Sequence, residues 1–178
     1  MIQIINSNIF VFNEDINFLC KAKTSSGEWV IGYFTPEHVP LTDTVLYKMR
    51  WQKVFDGGYT TIQTHFVKAD SLCRCIGAKD INDDLIFGND YVKHYNAGIE
   101  NEETFEIGRV FFDKNTLSWK RTVDYAQENG QRIVKSYTPP RKVAPTAWMS
   151  VDNDYEVIGN ALDETLEDIF KKEKIILN

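Results

Sequence analysis

The chain is short of the residues that declare a chemistry most directly. It has three cysteines, Cys20, Cys73 and Cys75. So odd and small a count does not suggest the disulfide framework of a small secreted domain, and Cys73-Arg74-Cys75 lacks the spacing of a zinc knuckle. Buried free thiols in a reducing cytoplasm are expected instead. The three histidines, His38, His65 and His94, are scattered, no serine stands in a G-x-S-x-G elbow, and neither G-x-G-x-x-G nor G-x-x-x-x-G-K-[ST] occurs. No catalytic residue, metal or cofactor is therefore expected. No apolar run approaches the roughly 18 residues needed to cross a bilayer. The opening Met1-Ile2-Gln3-Ile4-Ile5-Asn6 has neither the basic start nor the apolar centre of a secretory signal. The expected location is the cytoplasm, with no membrane partner. Positive charge is in deficit as well: 20 Lys and Arg face 26 Asp and Glu, a net charge of −6. A general nucleic-acid coat needs cations to displace counterions from phosphate, so that class is disfavoured, a local basic patch aside.

What is present points to β structure. Hydrophobic residues make up 43% and charged residues 26%, which are globular proportions. Aromatics reach 13%, favouring pleated, half-buried surfaces. Residues 18–23 and 29–34 read as two strands around a Ser/Gly turn, a hairpin. Pro36 and Pro40 mark residues 35–40 as a loop, because proline lacks the ladder donor. Residues 45–55 fit helix or strand equally. Residues 59–67 and 72–76 read as strands. Residues 105–113 alternate, with Phe105, Ile107 and Arg109 on one side. Lys114-Asn115 is a two-residue turn candidate before a strand over 116–123. Residues 124–149 are the least regular part, interrupted by a strand over 132–137. Residues 155–160 form a last strand. The one clear helix runs from Asp163 to Lys172, with Leu162, Leu166, Ile169 and Phe170 as its apolar stripe and Glu167–Lys171 and Asp168–Lys172 as supporting pairs.

Two clusters have a functional reading. Asp80, Asp83, Asp84 and Asp90 could supply oxygens to a hard cation, but the calcium-loop spacing is absent and the reading favoured is turn-building and strand capping. Arg132, Lys135, Tyr137, Arg141 and Lys142, with Trp148 beyond, interleave cations and aromatics. Such a set can stack bases and neutralise phosphate. A plain solvated loop looks similar, and that reading weighs more.

Three blocks of sequence carry a resemblance. The first is Lys21-Ala22-Lys23 followed by Gly27-Glu28-Trp29-Val30-Ile31-Gly32-Tyr33. The second and most specific runs over residues 76–92 and includes Lys79-Asp80-Ile81-Asn82-Asp83 and Gly88-Asn89-Asp90-Tyr91-Val92. The third is Tyr155-Glu156-Val157-Ile158-Gly159-Asn160. In order and spacing across nearly the whole chain these resemble the YopX family of phage and prophage proteins. The family has glycine where Asp83 stands and E-G-D where this chain has Gly88-Asn89-Asp90. Asn is the best substitute for Gly at positive φ, so the bend is expected to survive. The resemblance implies an SH3-like barrel in the C-terminal half and no settled biochemical activity.

The expected architecture is mainly β. Residues 1–75 form an N-terminal β-rich part, 76–160 a small SH3-like barrel, and 161–178 a C-terminal amphipathic helix and tail. The expected function is that of a non-enzymatic phage or prophage accessory protein binding a macromolecule, in first place a protein, in the host cytoplasm. Homo-oligomerisation through the helix stripe stays open. The alternatives are a nucleic-acid-binding barrel using the Arg132–Lys142 region and, behind it, an enzyme with a dispersed site.

Overall fold

The structure, a computed structural model, describes residues 2–5, 9–12, 19–38, 45–54, 60–95, 104–128, 130–132 and 155–175. The protein is mainly β, with two antiparallel sheets and one α-helix, near the C-terminus, among the described residues. The chain divides into two compact units, Met1–Gly77 and Ala78–Asn178. Seven Lys and Arg and seven Asp and Glu fall in the first, so the whole charge of −6 belongs to the second.

The first unit contains β1 (Ile2–Ile5), β2 (Ile9–Phe12), β3 (Leu19–Lys23), β4 (Trp29–His38), β5 (Val45–Val54), β6 (Thr60–Phe66) and most of β7 (Cys73–Lys79). Their order is β1-β2-β5-β4-β3-β7, with β6 paired to β5. The expected β3–β4 hairpin is present, Lys23 facing Trp29 across the turn at 24–28. Strand alternation sends Cys20 and Ala22 inward to pack with Met49 and Val67, while Lys21 and Lys23 take the other face. Of the ambiguous stretch at 45–55, the described residues Val45–Val54 are strand.

The expected loop at 35–40 is corrected: β4 continues through Pro36 to His38 and pairs with β5, Pro36 opposite Tyr47. Backbone phase explains how. The N–H of Val67 donates to the carbonyl of Tyr47 at 2.9 Å. Hydrogen-bonded pairs alternate along an antiparallel ladder. Odd-numbered residues of β5 therefore bond to β6, its even-numbered residues bond to β4, and Pro36 points away from β5. On that other side β3 reaches only as far as Tyr33. The missing donor falls where no ladder needs one among the described residues.

The second unit contains β8 (Leu85–Phe87), β9 (Asp90–Tyr95), β10 (Phe105–Asp113), β11 (Ser118–Arg121), β12 (Tyr125–Glu128), β13 (Gln131–Arg132), β14 (Tyr155–Asn160) and helix α1 (Leu166–Lys172). The sheet order is β13-β12-β10-β9-β14, with β11 on β10. Two sequence expectations change here. The turn after β10 has four residues, 114–117, because Asp113 faces Ser118 and Leu117 takes a positive φ of 50°. Part of the stretch read as irregular is the β12–β13 hairpin, Glu128 opposite Gln131. Arg109 is exposed, while Phe105 and Ile107 are buried.

The helix is also shorter than its apolar stripe suggests. It begins at Leu166, and Leu162 lies exposed in the turn before it. A capping box sets the start: the Thr165 hydroxyl accepts the Asp168 N–H at 3.2 Å, and the Asp168 carboxylate accepts the Thr165 N–H at 3.0 Å. Asp168 is thus engaged in the cap rather than paired with Lys172. The Lys172 ammonium instead donates to the Ile158 carbonyl at 2.7 Å. Ile169 and Phe170 pack on Tyr91, Phe105, Ile107, Tyr125 and Ile158, with Leu166 and Ile175 beside them.

The turns of the 76–92 block take the backbone expected of them. Asp83 and Asn89 both have φ of 69°. The Asn89 N–H reaches the Val110 carbonyl and its own carbonyl takes the Ala161 N–H, each at 2.8 Å. Asn89→Val places a β-branched residue in that left-handed bend and is expected to cost about 1–3 kcal/mol, with Asn89→Gly close to neutral. Paired thermal melts check this, and an unchanged midpoint for the Val variant would count against the bend's role.

Candidate binding surfaces

The carboxylates of the 80–90 block build structure. Asp80, 1% exposed, accepts the N–H groups of Asn82, Asp84 and Val157, each at 2.9 Å. Asp90, fully buried, accepts the Phe87 N–H at 2.7 Å and the Asn160 side-chain amide at 2.8 Å. Asp83 is exposed and pairs with Lys79 at 2.7 Å. Among the described residues no three His, Cys, Asp or Glu side chains are grouped to hold a metal ion. Cys20, Cys73 and Cys75 are buried free thiols. Burial pushes the Cys20 thiol up, partly opposed by the Arg74 guanidinium.

The histidines differ in setting. The His65 ring stacks on Trp51, with centroids 4.5 Å apart. His94 belongs to an ionic cluster that the sequence does not announce, because its members come from four strands. Glu106 and Tyr155 lie opposite His94 on either side, and Arg121 reaches in from β11. Arg121 is 2% exposed and donates to Glu106 and, at 3.2 Å, to Nδ1 of His94. The His94 ring stacks on Tyr155 at 4.5 Å. Arginine can only donate, so Nδ1 of His94 is an acceptor and the neutral ring carries its proton on Nε2. Burial first, then the Arg121 charge, lower the His94 pKa from 6.5 to about 4. The folded state therefore binds this proton less readily than the unfolded chain. Stability from this site is fully present above pH 6.5 and is lost as pH falls towards about 4. The thermal midpoint should drop across that window, and His94→Gln should flatten the drop. An identical pH profile for the two proteins would refute the assignment.

Of the expected basic–aromatic residues, Lys135, Tyr137, Arg141, Lys142 and Trp148 lie outside the described residues. Arg132 is exposed at a cleft of about 560 Å³ between the β12–β13 hairpin and the end of α1. Its guanidinium lies 5.9 Å from the Tyr125 ring centroid, and the Lys93 ammonium lies 4.4 Å from that of Phe105. Glu173 pairs with Lys93 at 3.3 Å. Burial raises the Tyr125 phenol pKa, with Arg132 opposing.

A second surface, on the first unit, is absent from the sequence expectations. Ile62 and Phe66 of β6 are 74% and 57% exposed. Ile62 helps line a shallow cleft of about 390 Å³ with Tyr33, Thr35, Arg50 and Trp51. Residues 62, 64 and 66 share one face with Arg50 and Lys48, opposite them on β5. Lys48 is tied to Glu37 and lies 5.3 Å from the Phe66 ring centroid. The available signal was compositional: Thr60-Thr61-Ile62-Gln63-Thr64-His65-Phe66 contains no formally charged residue, glycine or proline.

Set against family models, curated proteins and solved structures, the chain matches none of them. No helix among the described residues is long and apolar enough to cross a membrane.

Proposed function

We propose that the chain is a non-enzymatic accessory protein of phage or prophage origin that docks a protein partner in the host cytoplasm. The observation that carries the protein-docking reading is the exposure of Ile62 and Phe66 together on one face of β6. Large apolar side chains grouped on a surface mark interaction sites more often than isolated ones do. The proposed origin rests on the resemblance to the YopX family. The positive φ of Asp83 and Asn89, at the positions where that family carries glycine, supports it. With it we propose that the second unit is the SH3-like module which the resemblance implies.

The test is a tagged pull-down from induced host cells with the wild-type chain and an Ile62→Ser, Phe66→Ser variant. A partner retained by the first and lost by the second is expected. Equal retention by both would move the docking site elsewhere.

A second reading, nucleic-acid binding, is favoured by Arg132 and Lys93 lying over aromatic rings at the second unit's cleft. The −6 charge of that unit opposes it. Salt-sensitive binding of a single-stranded oligonucleotide, abolished by Arg132→Ala, would support this reading over the first.

A further inference from the structure

We infer that β6 is a strand-addition edge, taking an extended partner segment with large apolar side chains at alternate positions and an acidic residue facing Arg50. The inference rests on the protein-docking reading and specifies its geometry and chemistry.

The backbone gives the first support. The Val67–Tyr47 bond turns the odd-numbered residues of β6 towards β5, so the N–H and C=O groups of Ile62 and Thr64 point to the other side. Among the described residues, β6 has β5 as its only strand partner. Beyond it the chain is held by the Thr24–Val67 bridge and by the Lys68 N–H on the Lys23 carbonyl at 2.8 Å. Among the described residues the edge is therefore stoppered at its Val67 end and open over Ile62 and Thr64.

The side chains give the second. Natural sheets blunt an open edge with charge, proline or a bulge, and the β6 sequence has no Lys, Arg, Asp, Glu or Pro. A strand laid along β6 places alternate side chains beside Ile62 and Phe66, where aromatic and β-branched cross-strand pairs are favourable. Arg50 is exposed, lies opposite Thr64 and lines the same cleft as Ile62, whose described lining contains no carboxylate. The partner residue opposite Thr64 would be two strand spacings from Arg50, roughly 10 Å between backbones, a gap that an extended Glu and Arg bridge. The stoppered end favours a slim extended segment over a second copy, whose own 24–28 turn would accompany its β6.

The test uses the full chain and a short fluorescent peptide alternating Val and Thr around one Glu. The wild type should bind it. A copy methylated on alternate backbone nitrogens should bind at least roughly tenfold more weakly, because strand addition needs those donors. Thr64→Pro should weaken binding as much with its circular dichroism unchanged, since that N–H faces away from β5. Thr64→Lys is the second variant should proline disturb the strand. Exchanging the peptide's Glu for Lys should weaken binding to the wild type and lose that effect in Arg50→Ala.

Equal binding of the methylated copy, or no binding of the parent peptide, overturns the inference. So does a dimer that Thr64→Lys dissociates, which would assign the edge to a second copy, or an oligonucleotide held through Arg50. In the pull-down, a partner kept by Thr64→Lys but lost by Ile62→Ser, Phe66→Ser removes strand addition and leaves protein docking standing. A partner kept by both removes the two together.

Discussion

Deleting residues 161–178 is expected to unfold the second unit or drive it to aggregate, rather than release a folded monomer from an oligomer. The helix covers its own unit: Ile169 is fully buried and Phe170 8% exposed, with the Phe170 ring 5.4 Å from that of Tyr125. A seven-residue helix has no stability of its own in water, so packing holds it in place. The fit is close. A Cβ on Gly159 would meet the ends of the Ile169 and Glu164 side chains, so both would have to shift to admit one. The point substitution Ile169→Ala isolates the effect and should cost about 2–5 kcal/mol, the range for truncating a large aliphatic side chain in a core. That is a large share of the roughly 5–15 kcal/mol by which domains are stable. Urea titration of the point variant, with chromatography and circular dichroism of the truncation, provides the measurement. A truncated chain as folded as the full one would sink the account.

The helix also marks how far periodicity reached. The i, i+4, i+7, i+8 pattern from Leu162 found the right face at Leu166, Ile169 and Phe170, but overran the helix start. Periodicity cannot see Thr165 and Asp168 exchanging hydrogen bonds, and that exchange fixes the boundary. The strand at Pro36 is hidden from the sequence for a related reason. The cost of a proline in a strand depends on which side its missing donor would face, and that follows from the ladder phase of three strands. The β12–β13 hairpin did have a local signal, the Asn129-Gly130 dipeptide between Glu128 and Gln131. The turns around Asp83 and Asn89 were legible because Asn and Asp adopt positive φ more readily than other non-glycine residues. The His94 cluster was not, since Glu106, Arg121 and Tyr155 meet it only through pairing across strands. The β6 surface was half legible. Its lack of charge is written in the sequence, but its place at an edge is a property of the sheet.

Asp80→Ala is the second substitution expected to do severe damage, although Asp80 lies in a stretch that reads as an ordinary polar turn. Its carboxylate receives three backbone N–H groups. Those of Asn82 and Asp84 close the turn on one oxygen, and that of Val157 ties the turn to β14 through the other. The neighbouring bond from the Ile81 N–H to the Tyr155 carbonyl, 2.8 Å, reinforces the same junction. A hydrogen bond to a charged acceptor contributes about 1.5–3 kcal/mol, and donors stranded in a buried site add their desolvation cost. The expected loss is about 3–5 kcal/mol. Asp80→Asn should also destabilise, by less, because an amide keeps one acceptor oxygen and turns its own donors towards N–H groups that need an acceptor. Asp84→Ala is the control: its side chain is exposed, and the change should stay within about 0.5 kcal/mol. Denaturant melts of the three variants rank them. If Asp80→Ala melts with Asp84→Ala, the carboxylate does not tie the turn to β14.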